Sequence, residues 1–156
     1  MLEWFEFSRD DLSPVTTLIE GLPVDDGALV VAIEPVPAES PGLLAKLLRR
    51  QPDHSPAAVH VLKFRGHDEP DHYDIRCVFP KGTPFAERVK VPGWARVDEV
   101  QPRQALVSAP LTVSADEVAT FAASALRALA PQADGPTWRT IEADTAHLSV
   151  PGPDIW

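Results

Sequence analysis

The chain is poor in the residues that most often signal a particular chemistry. Its 156 residues include one cysteine, Cys77, so an intramolecular disulfide is excluded. The eight glycines are dispersed, and none forms the glycine-rich loop that cradles a phosphate. No apolar run reaches the roughly 18 residues that would span a bilayer. Gly-x-Ser-x-Gly and His-Glu-x-x-His are also missing. These absences argue against disulfide-stabilised proteins, membrane-spanning proteins and the best-marked enzyme classes.

Basic residues are scarce as well, and the formal net charge is −9. Residues 1–27 carry seven acidic side chains and a single base, Arg9. Phosphate backbones are bound by clustered Lys and Arg, so nucleic acid is disfavoured as a partner. An acidic surface can steer a basic partner or simply keep a protein dissolved. The acidic amino terminus does not resemble a signal peptide, and together with the lone cysteine this predicts a cytoplasmic protein.

The length and the proline content predict one domain with short elements. A chain of 156 residues suits a single domain, residues 1–156, with its own hydrophobic core. The 17 prolines are about twice the usual share, and proline interrupts both helices and strands.

Two amphipathic helices are predicted from capping signals and apolar spacing. Ser114 followed by Glu117 forms a capping box, and the apolar residues after it recur at helical spacing, which predicts a helix over about 115–130. Ser40-Pro41 precedes a leucine stripe and predicts a second helix over about 41–51. Ser13 is predicted to cap a shorter helix over 14–20.

The remaining apolar segments read as strands. Tyr73, Ile75, Cys77 and Phe79 alternate with polar residues, the period-2 pattern of a half-buried strand. Other strands are predicted over 2–7, 28–33, 58–64, 95–100, 104–113 and 137–143. Strands that outnumber helices and follow one another as hairpins favour an α+β domain, with the two main helices packed on a mostly antiparallel sheet.

Potential metal ligands and nucleophiles are present but poorly arranged. The loop from His67 to His72 holds two histidines among acidic residues, yet its spacing matches no established ligand motif. We therefore expect a solvated loop, no metal and no cofactor. Cys77 shares a strand face with Ile75, which favours a buried, inert thiol over a nucleophile.

The aromatic and acidic residues suggest a binding surface instead. Large aromatics near loops are enriched at protein interfaces. We expect Trp94 and Trp4 to be interface candidates, the latter because it lies among acidic residues that could attract a basic protein. The acidic candidates beside Trp4 are Glu3, Glu6, Asp10 and Asp11.

Two main functional classes remain open. The first is a non-enzymatic protein-binding module, such as an immunity-type inhibitor, an adaptor or a chaperone, whose partner is a basic protein or a second copy of the chain. The second is an enzyme or small-molecule-binding protein with a pocket between sheet and helices, for which His60, Tyr73 and Arg76 are the candidates. A structural subunit of a larger assembly is a third class. The absence of catalytic motifs favours the first.

Overall fold

The computed structural model describes residues 4–36, 57–130 and 137–144, which form one antiparallel sheet with helices on one side. The strands are β1 (Phe5–Ser8), β2 (Leu29–Pro35), β3 (Ala58–Phe64), β4 (His72–Val78), β5 (Arg96–Val100), β6 (Gln104–Pro110) and β7 (Thr137–Asp144). The helices are α1 (Ser13–Glu20), α2 (Phe85–Arg88) and α3 (Ala115–Leu129). The α+β class is confirmed. The helix predicted at 41–51 lies outside the described residues.

The order of the seven strands is β1-β7-β2-β3-β4-β6-β5. Strands β2, β3 and β4 are antiparallel neighbours in chain order, as expected for hairpins. The succession is broken after β4, which pairs with β6, while β5 lies outside β6. The last strand, β7, lies between β1 and β2 and pairs antiparallel with both. Strands β1 and β5 are therefore the two edges of the sheet that the described residues form, roughly 29 Å apart at about 4.8 Å per strand spacing.

The larger core lies between the sheet and its three helices. Strand β2 shows how it forms, because its apolar run Leu29–Ile33 buries side chains on both faces. Val31 and Ile33 point into the larger core, which also receives residues from all three helices. Ala32 points the other way and packs with Ile141 and Ala143 in a smaller core, to which no described helix contributes.

Helix α3 begins where its capping residues predict. The Glu117 backbone N–H donates a hydrogen bond to the Ser114 side-chain oxygen at 3.1 Å. Val113 before the cap and Val118 after it are both buried, as a hydrophobic staple requires. The apolar stripe beyond them, which includes Phe121 and Leu126, faces the larger core. The N-cap at Ser114, the staple and the apolar stripe are confirmed, whereas the hydrogen bonds of the described residues do not include the return bond from Glu117 that would complete a capping box.

The start of α1 differs from its prediction. Leu12 is the N-cap, and its side chain makes no capping hydrogen bond. Ser13 is already helical, and its hydroxyl donates to Asp11 at 2.7 Å instead of capping the helix. The Asp11 carboxylate also accepts the Ser13 backbone N–H at 3.1 Å. A carboxylate two residues upstream thus takes over the capping role assigned to Ser13, since it can accept both groups at once.

Substitution of Ser114 by alanine should destabilise the fold through α3 alone. The free energy of unfolding is expected to fall by about 1 kcal/mol, because the Glu117 N–H loses its acceptor at the helix start. The matched control is Ser124→Ala, at an exposed position in the middle of the same helix, where alanine is the better helix former. Urea unfolding of both variants checks this. Equal losses in the two variants would contradict the capping role.

No helix among the described residues is long and apolar enough to cross a membrane.

Candidate functional site

Trp94 stands at the open β5 edge of the sheet. It follows a turn in which the Ala95 backbone N–H donates to the Pro92 carbonyl at 3.0 Å. The indole packs edge-on against Phe121 of α3, with the ring centroids 5.9 Å apart. The side chain is only half-buried, so one part anchors the turn to the core while the rest lines two surface grooves.

The first groove lies between Trp94 and the loop that joins β3 to β4. Its volume is about 340 Å³. Its ionisable lining residues are mostly carboxylates: Glu69, Asp71 and Asp98, with His72 and Arg96. The Arg96 guanidinium already pairs with Asp98, with Nε and Oδ1 2.6 Å apart. An aromatic wall with a rim of carboxylates suits a cationic group better than an anionic one.

The second groove lies on the other side of Trp94, along α3. It has a volume of about 290 Å³, and Trp94, Pro92 and Phe121 form its apolar wall. Lys90 and Glu117 bring one charge of each sign to this groove. Trp94 therefore forms a ridge between the two grooves, of which the first is acidic and the second largely apolar.

A third groove, of about 370 Å³, touches the His67–His72 loop. The loop is held by its own residues: the Gly66 backbone N–H donates to Asp71 at 2.9 Å, and the His72 ring stacks on Phe64 with centroids 5.9 Å apart. Within the described ranges, no group of three or more His, Cys, Asp or Glu side chains is placed to hold a metal ion.

The acidic candidates near the amino terminus lie at the opposite edge of the sheet. The Arg139 guanidinium stacks over the Trp4 ring at 4.3 Å and donates to Glu34, so one face of this indole is occupied within the chain. Hydrogen bonds from Ser13 lower the pKa of Asp11, whose carboxylate is thus bound to the first residue of α1. Glu6 and Asp10 are exposed. Glu3 lies outside the described residues.

The structure divides the pocket candidates between the two faces of the sheet. His60 and Arg76 are direct cross-strand neighbours on the face of the smaller core. Tyr73 points the other way, into the larger core. The Nζ of the half-exposed Lys63 lies 5.8 Å from the centre of its ring. The three residues therefore do not converge on one pocket.

His60 is buried in an unusual environment for an ionisable group. Burial, and then the positive charge of Arg76, lower the pKa of His60 to about 4. Its Nδ1 is buried and has no hydrogen-bond partner in the described part of the chain. Arg76 pairs with Asp74 at 3.1 Å, and burial raises the pKa of that carboxyl although Arg76 opposes the shift. His60 is neutral at pH 7 and only 5% exposed, which makes it a poor contact for an external substrate.

Cys77 is buried in the larger core, as its strand pattern predicts. Burial raises the pKa of its thiol to about 12. The reactive thiolate is therefore scarce at neutral pH, which argues against a nucleophilic role.

The exposure of Val97 and Val100, two residues of β5, is not indicated by any pattern in the sequence. Valine in a strand is ordinarily a core residue. Their exposure follows from the edge position of β5, which only the strand order reveals.

Comparisons with protein-family models, with curated proteins and with solved structures found no match.

Proposed function

We propose that this chain is a small, acidic, non-enzymatic protein-binding module, and that a basic protein docks on its β5 edge beside Trp94. One observation carries the proposal. Among the described residues the exposed large apolar side chains are Phe5 (63% exposed), Val97 (40%) and Val100 (52%), and all three lie on edge strands. Apolar side chains that gather at open sheet edges are typical of surfaces that receive another chain.

The β5 edge is the better of the two candidates. It offers two valines and the Trp94 ridge, whereas the four-residue β1 contributes Phe5 alone. Aromatic anchors surrounded by a polar rim are the usual source of binding energy at protein interfaces. The carboxylates of the first groove favour a partner with Lys or Arg side chains.

Two further points accompany this proposal. The acidic residues near the amino terminus would speed the encounter with a basic partner from a distance, without contacting it. The cytoplasm is the proposed location, because a lone cysteine is compatible with a reducing compartment.

The test compares three proteins as bait in the native host: the unchanged chain, Val97→Ser with Val100→Ser, and Phe5→Ser. A partner with a high isoelectric point should bind the unchanged chain and Phe5→Ser. The double variant should bind it at least tenfold more weakly, because both exposed valines at β5 become polar. Raising the salt concentration should slow association of the complex.

The other outcomes separate the alternatives. Loss of the partner with Phe5→Ser alone would move the interface to β1 and the acidic amino-terminal residues. Equal capture by all three baits would contradict an edge interface. If no protein is captured while a metabolite raises the melting temperature, the small-molecule or enzyme alternative replaces the proposal.

A further inference from the structure

Among the described strands, β5 has a hydrogen-bonded neighbour on one side only. It pairs with β6, and all five of its residues are exposed. The Gln101 backbone N–H donates to the Gln104 carbonyl at 2.8 Å, so the backbone of residue 101 faces β6. In an antiparallel strand, the backbone N–H and C=O groups of successive residues point alternately to one side and to the other. Those of Val100 therefore point away from β6. An additional strand could bond to them.

A β-bulge in β5 places two apolar side chains on the same face of this edge strand. The pairing of β5 with β6 shifts by one residue between Val97 and Glu99. Val97 lies opposite Val107 and Val100 opposite Ala105, and both of these partners belong to the larger core. The bulge thus places two valines that are three residues apart on the same face, where they extend the core to the open edge.

The opposite side of β5 is acidic. Arg96 lies opposite Ser108 and is neutralised by its bond to Asp98. Glu99 lies opposite Leu106 and accepts a hydrogen bond from Gln101. A strand added here would meet valines on one face and net negative charge on the other.

A second copy of the chain is a poor occupant of this edge. Antiparallel pairing of two β5 strands would bring Asp98 and Glu99 near the same carboxylates of the other copy, between chains that each carry a net charge of −9. Bulges and charged side chains are common means by which edge strands avoid such self-pairing. A basic strand would meet opposite charge at the same positions.

We infer that β5 accepts an extended basic segment as an eighth strand, with apolar residues against Val97 and Val100 alternating with Lys or Arg against the acidic side. This rests on the proposed function and specifies how the partner binds. Main-chain hydrogen bonds would supply affinity, and the two faces of β5 would select the alternation of apolar and basic residues.

The test uses a labelled synthetic peptide of roughly eight residues in which valine and lysine alternate. Fluorescence anisotropy at low salt should show saturable binding to the unchanged protein. A peptide of the same composition in scrambled order should bind at least tenfold more weakly, and so should the alternating peptide methylated at its backbone nitrogens. Amide hydrogen exchange at Val100 should slow at least tenfold in the complex.

Two variants locate the site. Val100→Pro removes the outward N–H but no hydrogen bond to β6, because proline is tolerated on the open side of an edge strand. It should weaken binding of the alternating peptide at least tenfold. Glu99→Lys should shift the preference toward a peptide in which valine and glutamate alternate. The matched control is Phe5→Ser at the other edge, which should leave binding unchanged.

Equal binding of the scrambled, methylated and alternating peptides would overturn strand addition, as would unchanged binding by Val100→Pro. If Val100→Pro fails to fold, the methylated peptide still decides the matter with the unchanged protein. A host partner lost in the valine variants while no peptide binds would contradict strand addition alone. Peptide binding without any basic host partner would contradict the proposed function alone.

Discussion

Replacing Trp138 by alanine should lower the free energy of unfolding by about 3–5 kcal/mol. Trp138 is 1% exposed and is the largest of the fully buried side chains in the described ranges. Its position on β7 places it opposite Phe7 of β1 and Pro35 of β2, so one ring supports the contact between three strands. It also packs edge-on against Phe7, with centroids 6.5 Å apart. Urea unfolding followed by circular dichroism measures the loss.

Trp138→Phe is the matched control. The indole Nε1 is buried and finds no hydrogen-bond partner among the described residues, so phenylalanine removes an unsatisfied polar group while it keeps most of the apolar area. We expect a loss below about 1.5 kcal/mol. If the alanine variant were no less stable than the phenylalanine variant, Trp138 could not be central to the packing of β1, β7 and β2.

The second large effect is a loss of stability in acid that depends on His60. The pKa of His60 is about 4 in the folded protein against an ordinary 6.5. Because the unfolded chain binds the proton more readily, the neutral buried ring contributes its full stability above pH 6.5. That contribution is lost as the pH falls from 6.5 towards 4 and amounts to something on the order of 3 kcal/mol.

The measurement compares unfolding free energies of the unchanged protein and His60→Gln between pH 7 and pH 4. The two curves should converge or cross towards low pH, because glutamine cannot be protonated. Asp74 has the opposite effect on the pH dependence of stability. Because its pKa is raised in the folded protein, the folded state still holds the proton at a pH at which the unfolded state has released it, and stability falls as the pH rises. Both proteins retain Asp74, so the difference between the curves reports His60. Parallel curves would mean that His60 is protonated without cost in the folded protein.

Local sequence was sufficient to predict those elements whose signals are themselves local. The cap at Ser114 and the stripe after it placed α3 within a residue of its observed limits. The alternation from Tyr73 to Cys77 predicted both the strand and the face that it buries. Such signals depend on neighbours within four residues, which a sequence displays directly.

The pairing of distant segments could not be predicted in this way. Nothing near residues 137–144 indicates that they pair with both β1 and β2, because a strand's partners depend on the whole set of packing choices. The separation of Tyr73 from His60 has the same origin. Their assignment to opposite faces depends on the register of β3 against β4, which places His60 opposite Arg76. The edge valines were missed for a related reason, since exposure at β5 follows from strand order and from a bulge.

The place of β7 in the sheet has a consequence for biosynthesis. The Thr140 hydroxyl donates to the Ala32 carbonyl at 2.9 Å, a contact between residues 108 positions apart in the chain. Strands β2 to β6 can pair with one another while the ribosome is still translating, whereas the described partner of β1 is β7. Phe7 of β1 and one edge of β2 therefore lack their partner strand until residues 137–144 leave the exit tunnel. Contacts between residues so far apart in sequence form slowly, so the apolar surface that β7 covers stays exposed for an interval after β2 to β6 have been made.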